Sequence, residues 1–224
     1  RIRFNGSIAE LDAVGKTLSS GVTIKPAVQG QWRWSSDSIL TFEPANNWPA
    51  ETEYEVKLDK AILPKLVRIE TTDWKFKTAA LHPSVAKTEF YTDLKDPSLH
   101  QIVAEFRFNL PVSKAELEKH IGIEVLSKAP IFAWQGKTPA SLFTITEDTA
   151  ENLDEQQKHR HFWLRTARIA LPEQEEFVRL SITSGLASMH GGEALADNVS
   201  GKERVPDIYS GFNIAGSRVE IIRT

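Results

Sequence analysis

Two histidines, His159 and His161, are the residues of this sequence best placed to bind a ligand together. On an extended strand they project to the same side, about 6.6 Å apart along the chain, which is compatible with a shared metal ion. A third ligand would have to come from the acidic residues just before them: Glu151, Asp154 and Glu155. Because all of these residues border a polar segment, we interpret the group as a solvated strand end rather than a metal site.

Other reactive residue types lack the partners that chemistry requires. Ser84 and Lys87 have the Ser-x-x-Lys spacing of serine acyl enzymes, but the companion motifs are missing. Acidic clusters around Glu147 and Glu173 follow no calcium-loop pattern, and we interpret them as solvated faces. The sequence also has no Gly-x-Ser-x-Gly motif, no P-loop and no dinucleotide-binding motif. We therefore predict no catalytic, cofactor-binding or metal-binding residues, and we expect a segment that is not an enzyme.

The composition further limits the possible partners of the protein. The 224 residues include 27 Lys and Arg and 30 Asp and Glu, which gives a net charge of −3. Because no stretch concentrates the basic residues, a nucleic-acid partner is not expected. Cysteine is absent, so disulfides, thiolate catalysis and Cys-based zinc sites are excluded within these residues. No run approaches the roughly 20 apolar residues of a membrane span. The start at Arg1 lacks the pattern of a signal peptide, and we expect a part of a longer protein.

The first 80 residues alternate in a way typical of β-strands. From Thr52 to Leu58 every second residue is apolar or Thr and the others are charged, which predicts one buried and one solvated face. Six or seven such short runs, separated by turn-forming residues, indicate an all-β sandwich. Its predicted core is the set of inward-facing large residues: Trp32, Trp34, Leu40, Phe42, Tyr54, Val56, Trp74 and Phe76. Trp48 precedes Pro49 in a loop, where it either caps the sandwich or is exposed.

A second series of strands follows the proline-containing joint at residues 79–85. Three of its runs have a clear apolar phase, in Ile102–Phe108, Ile121–Val125 and Val178–Ile182. We predict one short helix behind the N-cap residue Ser113, ending near Lys119, and a last strand that contains Val219 and Ile221.

The two series repeat one another. Arg1–Asn5 matches Glu105–Asn109 at an offset of 104 residues, whereas Val56 and Leu58 match Leu180 and Ile182 at an offset of 124. The polar, non-periodic segment 146–160 would account for the difference as an enlarged loop in the second copy. The chain is thus predicted to be one β domain used twice.

Specific motifs then identify a family. The first copy contains Gly-x-Trp-x-Trp at residues 30–34, Leu-x-Phe-x-Pro at 40–44, Trp-Pro at 48–49 and Thr-x-Tyr at 52–54. These resemble the N-terminal macroglobulin-like domains of bacterial alpha-2-macroglobulins, most closely the large YfaS-type members. The second copy is similar more weakly, through the Phe-Asn-x-Pro-Val opening at residues 108–112.

The resemblance implies two tandem immunoglobulin-like (macroglobulin-like) β-sandwich domains, at 1–80 and at 81–224, the second with an enlarged loop near 146–160. It also implies a long periplasmic protein that traps or inhibits proteases, in which the partners of this segment are other domains of the same chain. Any attachment to the inner membrane would depend on a part of the chain not present here. The thioester of many members requires Cys, so this segment could supply only the scaffold. An immunoglobulin-like adhesin or glycan-binding pair, with exposed tryptophans that stack on sugars, stays open as the alternative.

Overall fold

The computed structural model describes residues 1–127, 130–132, 140–148 and 157–210. The chain divides into two compact units. The first comprises Arg1–Ala80 and His190–Glu193, and the second comprises Leu81–Met189 and Ala194–Thr224. The predicted last strand with Val219 and Ile221 lies outside the described residues.

The first unit is built from two antiparallel sheets. One has the order β1-β5-β4-β2 and the other the order β3-β6-β7. Short 3-10 turns lie at Leu11–Ala13 and Lys60–Ile62. The strands are β1 (Ile2–Arg3), β2 (Thr17–Leu18), β3 (Val22–Lys25), β4 (Gly30–Ser36), β5 (Ile39–Pro44), β6 (Glu53–Leu58) and β7 (Asp73–Lys77).

The core of the first unit consists of the inward-facing residues of these strands. Trp34, Leu40 and Val56 are buried, as the alternation predicts, and charged residues alternate with them on β4 and β6. Trp32 and Tyr54 are also buried, while Phe42 and Trp74 pack against the core and are partly exposed. These large apolar and aromatic side chains supply the burial that stabilises the sandwich.

Phe76 is a correction to the predicted core, since it is 40% exposed. Phe76 lies near the end of β7, which is an edge strand of its sheet. Among the described residues, no further strand pairs with β7 on its outer side. Its ring stacks on Tyr54 with the centroids 5.2 Å apart. Trp48 joins this group, 5.0 Å from Tyr54 and 5.5 Å from Phe76, and is partly buried.

The second unit also has two antiparallel sheets, with the orders β8-β9-β12-β11 and β10-β13-β14. Named A to G along the chain, these strands form sheets ABED and CFG, which is the arrangement of a constant-type immunoglobulin domain. A helix, α1 (Lys114–Lys119), and a 3-10 turn (Ala140–Leu142) complete it. The strands are β8 (Pro83–Thr92), β9 (His100–Phe108), β10 (Ile121–Val125), β11 (Phe143–Glu147), β12 (His161–Thr166), β13 (Glu176–Ile182) and β14 (Val199–Val205).

The predicted apolar phases of the second unit are confirmed. Ile102, Phe106 and Leu180 have no exposed surface, and their neighbours in phase are also buried. The predicted helix is present with Ser113 at its N-cap, although the Ser113 side chain makes no capping hydrogen bond. Leu117 anchors the helix in the core.

The edges of the two sheets of this unit meet where β14 lies against β8. A Cβ atom added to Gly201 would lie 2.8 Å from Cγ1 of Val85, so only glycine permits this approach without displacement of its neighbour. The Thr88 hydroxyl donates a hydrogen bond to the carbonyl oxygen of Lys202, at 3.3 Å.

The predicted repeat between the two series is visible in the strand registers. Ile2 lies opposite Leu40 in the first unit, and Phe106 lies opposite Phe162 in the second. Ile2 and Phe106 differ by the predicted offset of 104. Likewise β3-β6-β7 and β10-β13-β14 have the same order, and Leu58 corresponds to Ile182 at the predicted offset of 124.

Two connections of the second unit are longer than their counterparts. Residues 148–160 join β11 to β12, where residues 37–38 suffice in the first unit. Residues 126–142 join β10 to β11, where the first unit uses residues 26–29. The additional length is therefore shared between two connections, whereas the polar segment 146–160 predicts only one of them.

Candidate functional site

A group of four ionisable side chains in mutual contact lies on the outer face of the four-stranded sheet of the second unit. His161 and Trp163 alternate on β12 with the fully buried Phe162 and Leu164, so they project away from the core. Glu105 lies beside them on β9, opposite Trp163 in the register. We call His161, Glu105, Arg107 and Asp148 the His161 cluster.

His161 lies between two carboxylates. Its Nδ1 atom is 3.0 Å from Oδ2 of Asp148, within hydrogen-bond distance. Its Nε2 atom is shielded from solvent and lies 2.7 Å from Oε1 of Glu105, but without the alignment of a hydrogen bond. The imidazole of His161 thus contacts one carboxylate on β9 and one just after the end of β11.

Glu105 is a buried carboxylate, with 7% of its surface exposed although it lies on the outer face. Its Oε1 atom accepts a hydrogen bond from Nε of Arg107 at 2.6 Å and lies 2.6 Å from Nη2 of the same side chain. Arg107 therefore compensates the negative charge that burial would otherwise make costly. The alternation of β9 predicts Glu105 on the solvated face, and the opposite charge two residues later is the one signal in the sequence for its pairing.

His159 has a carboxylate of its own. Its Nδ1 atom lies 2.8 Å from Oε1 of Glu147, and its backbone N–H donates to the same oxygen at 2.8 Å. The residue has a φ of 60°, in the left-handed region that is uncommon for residues other than glycine.

The two histidines are therefore not brought together around one ligand. The proposed third ligands Glu151, Asp154 and Glu155 lie outside the described residues. Within the described ranges, no group of three or more His, Cys, Asp or Glu side chains has a metal-binding arrangement. That the segment binds no metal stays a prediction.

Ser84 and Lys87 do not form a nucleophile and base pair. The Ser84 hydroxyl donates to the carbonyl oxygen of Arg107, at 3.4 Å. Lys87 donates to Glu89 at 2.5 Å, and this hydrogen bond raises the pKa of the lysine above its ordinary value of 10.5. A lysine that is held more firmly in its charged form is a poor base.

A surface pocket of about 490 Å³ lies on the first unit, at the end of β3 and along β6 and β7. Lys25, Glu55 and Lys75 form one row across its three strands, with alternating charge. The pocket therefore has no dominant charge that would select a ligand class. Its lining is Lys25, Pro26, Glu53, Tyr54, Glu55, Lys75, Phe76 and Lys77.

Fold and site together define a class of protein. The chain consists of tandem immunoglobulin-like β-sandwich units, and the ionisable groups of the His161 cluster pair with one another. A family model described as "Bacterial Ig domain" matches residues 1–61, in agreement with this class.

Three proteins of known name are similar to the chain over most of its length. A protein of Pasteurella multocida (strain Pm70) named "Alpha-2-macroglobulin" is 26% identical over 213 residues, covering 93% of this chain and 11% of the relative. A Yersinia pestis protein named "Alpha-2-macroglobulin homolog" is 24% identical over 93% of this chain and 10% of the relative. A Rickettsia conorii protein with the first of these names is 24% identical over 82% of this chain and 9% of the relative.

These matches confirm the resemblance found in the sequence: the chain is similar to bacterial alpha-2-macroglobulins over most of its length. It spans about a tenth of the length of the curated relatives it matches. The helices of the described residues include none with the length and apolar character needed to span a bilayer.

Proposed function

We propose that this segment is a non-catalytic structural part, with domains at 1–80 and 81–224, of a bacterial alpha-2-macroglobulin-like protein that traps or inhibits proteases in the periplasm. The observation that carries the proposal is that the similarity to proteins of that name runs through both immunoglobulin-like units. The contribution of the segment is to hold the geometry of neighbouring domains in the same long chain. We further propose that the whole protein belongs to the YfaS-type branch.

The packing of the described residues supports a scaffold role. Most of the large apolar side chains on the strands pack into the two cores, and the buried carboxylate Glu105 is neutralised by Arg107. Such an arrangement stabilises a domain, and the ion pair with Arg107 keeps the Glu105 carboxylate in its charged form.

The test uses the full-length protein and a variant that carries Trp34→Ala, which weakens the first core. Protease inhibition is measured as the loss of cleavage of a protein substrate by trypsin and by subtilisin. We expect inhibition by the full-length protein, reduced inhibition by Trp34→Ala, and unchanged inhibition by Leu66→Ala, because Leu66 is 97% exposed. Absence of inhibition by the unmodified full-length protein contradicts the proposal.

Glycan binding is the second candidate function, and the partial exposure of Trp163 favours it. This indole is partly exposed on the outer face of a sheet, next to Thr146 on one side and Glu105 on the other. Aromatic rings beside polar groups are suited to stacking on sugars. The buried Trp32 and Trp34 cannot serve in this way.

Tryptophan fluorescence separates the two candidates. Scaffold tryptophans emit at short wavelength and resist quenching by acrylamide, whereas a binding indole shifts its emission when cell-wall oligosaccharides are added. A shift that disappears in Trp163→Phe would establish the glycan-binding function, and its absence at millimolar oligosaccharide would exclude Trp163 as a stacking platform.

A further inference from the structure

We propose that Asn5 is a site of spontaneous chemical modification, at which deamidation produces an isoaspartate that weakens the attachment of β1. Asparagine is one of the thermolabile residue types. Asn5 alone among the asparagines of the chain is followed by glycine. The backbone nitrogen of the following residue is the nucleophile in deamidation, and a glycine has no Cβ atom to obstruct its approach to the carboxamide.

Both reacting groups are accessible in the folded chain. Asn5 and Gly6 are exposed. Within the part of the chain that the structure describes, neither the Asn5 carboxamide nor the Gly6 N–H makes a hydrogen bond. A Cβ atom added to Gly6 would have no neighbour within 4 Å, so the surroundings leave room for the ring that the reaction forms. The fold therefore does not protect this dipeptide.

The reaction requires water and no other reagent. The Gly6 backbone nitrogen gives its proton to water and forms a bond to Cγ of Asn5. The bond from Cγ to Nδ2 breaks, and the nitrogen leaves as ammonia with a proton taken from water. Water then opens the resulting succinimide ring at one of its two carbonyl carbons. Attack at Cγ leaves an ordinary aspartate, and attack at the main-chain carbonyl carbon leaves an isoaspartate.

Two other asparagines have features that hinder the same reaction. Asn109 is followed by leucine, and its Oδ1 atom accepts a hydrogen bond from the His82 N–H at 2.7 Å. Asn198 is followed by the β-branched valine, and its Oδ1 atom accepts from the Ser184 N–H at 2.8 Å. A large following side chain and a fixed carboxamide both oppose ring closure. These two residues are therefore internal references for the rate at Asn5.

The chain is anchored on both sides of Asn5. The Phe4 N–H donates to the carbonyl oxygen of Ser38 at 2.9 Å, and the Phe4 ring lies 5.9 Å from that of Trp34. On the other side, the Ile8 N–H donates to the carbonyl oxygen of Asp37 at 2.8 Å, and the Ile8 side chain is buried. The three exposed residues between these anchors thus connect two fixed points of the first unit.

An isoaspartate changes the length of this connection. Its main chain passes through Cβ and Cγ, which adds one atom between the anchors Phe4 and Ile8. Among the described strands, β1 has only two residues and pairs with β5 alone, so its attachment depends on the Phe4 anchor. We therefore expect an isoaspartate to weaken the attachment of β1. An ordinary aspartate adds a charge at an exposed position but keeps the length of the main chain.

Incubation of the full chain at mildly alkaline pH and physiological temperature tests the modification. Trypsin releases residues 4–16 as a peptide that contains Asn5 and no other asparagine. Mass spectrometry follows the gain of about one mass unit, and protein isoaspartate methyltransferase labels the isoaspartate. We expect deamidation at Asn5 to be about tenfold or more faster than at Asn109 and Asn198, and Gly6→Ala to slow it about tenfold.

The same incubation in concentrated urea tests the contribution of the fold. Because the folded chain leaves the dipeptide exposed and free of hydrogen bonds, we expect the rates at Asn5 in the folded and the denatured chain to agree within about threefold.

Thermal melts test the consequence for β1. The incubated chain is compared with Asn5→Asp, which has the additional charge without the additional main-chain atom. We expect the incubated chain to melt about 4 °C below Asn5→Asp. Gly6→Ala incubated for the same time is the control for other damage, and its midpoint should stay unchanged.

Any of four results would overturn the proposal. Deamidation at Asn5 is no faster than at Asn109 and Asn198, or it is as fast in Gly6→Ala as in the unmodified chain. The folded chain is protected tenfold or more relative to the denatured chain. The incubated chain melts at the same temperature as Asn5→Asp although isoaspartate has formed.

Discussion

Trp34 lies directly opposite Leu40 across the β4–β5 ladder, and both side chains are buried in the core of the first unit. Replacement of Trp34 by Ala removes one of the largest side chains from this core and leaves a cavity. We expect the free energy of unfolding to fall by about 3–5 kcal/mol. Urea denaturation followed by circular dichroism measures the change, with Leu66→Ala as a surface control. A Trp34→Ala curve that superimposes on the parent curve contradicts the core assignment.

Gly30 provides a second stability prediction. A Cβ atom at this position would lie 2.5 Å from the carbonyl oxygen of Glu43 and 2.5 Å from the ring of Phe42. Because a backbone atom must move, Gly30→Ala should cost about 1–3 kcal/mol. Gly6, with nothing within 4 Å of an added Cβ, is the matched control and should tolerate Ala with little change. Equal unfolding midpoints for the two variants would show that the strands yield more easily than the geometry indicates.

Substitution of Thr166 by valine removes one buried hydrogen bond and keeps the shape of the side chain. Its hydroxyl oxygen accepts from the Ile102 N–H at 2.9 Å, and the residue is almost completely buried. Thr166→Val leaves that N–H without its partner and should cost about 1–3 kcal/mol. The same substitution at the exposed Thr144, on the neighbouring β11, should be nearly neutral. Thermal melts of both variants measure the difference, and a neutral Thr166→Val would mean that the N–H finds another acceptor.

The hairpin between β8 and β9 supports a prediction on the titration of His100. Burial lowers the pKa of this imidazole below its ordinary value of 6.5, Arg168 lowers it further, and Asp96 raises it. A pKa depressed in the folded state means that the unfolded chain binds more protons just below pH 6.5, so this group contributes stability that is lost as pH falls through that region.

Arg168→Met should therefore raise the NMR titration midpoint of His100, whereas Asp96→Asn should lower it. Shifts of His100 in the same direction in the two variants would exclude a Coulombic origin.

The sequence was sufficient to predict the cores because the alternation of side chains on a strand is strict. Ile102, Phe106 and Leu180 follow from period two alone, and the repeat offset then assigns Leu58 and Ile182 to equivalent strands. Phe76 shows the limit of this rule. Alternation gives the side of the sheet on which a residue lies but not whether another element covers that side, and coverage fails near the end of β7.

The His161 cluster could be predicted less well, for a physical reason. Glu105, Asp148 and His161 are distant in sequence and meet because β12 lies between β9 and β11. Strand order is not contained in the periodicity of any one strand. Spacing along the chain therefore pairs His159 with His161, whereas in the structure His159 contacts Glu147 and His161 contacts Glu105 and Asp148.

We expect the close approach of β14 to β8 at Gly201 to oppose self-association of separate copies of this chain in concentrated solution. Unpaired backbone groups at a sheet margin are templates on which another molecule can add a strand, the first step toward fibrils. At this margin β14 lies against β8, and the Lys202 carbonyl oxygen already accepts from Thr88. A bulky residue in place of Gly201 would push the two margins apart and expose such a template, so self-association would increase even if the fold survived.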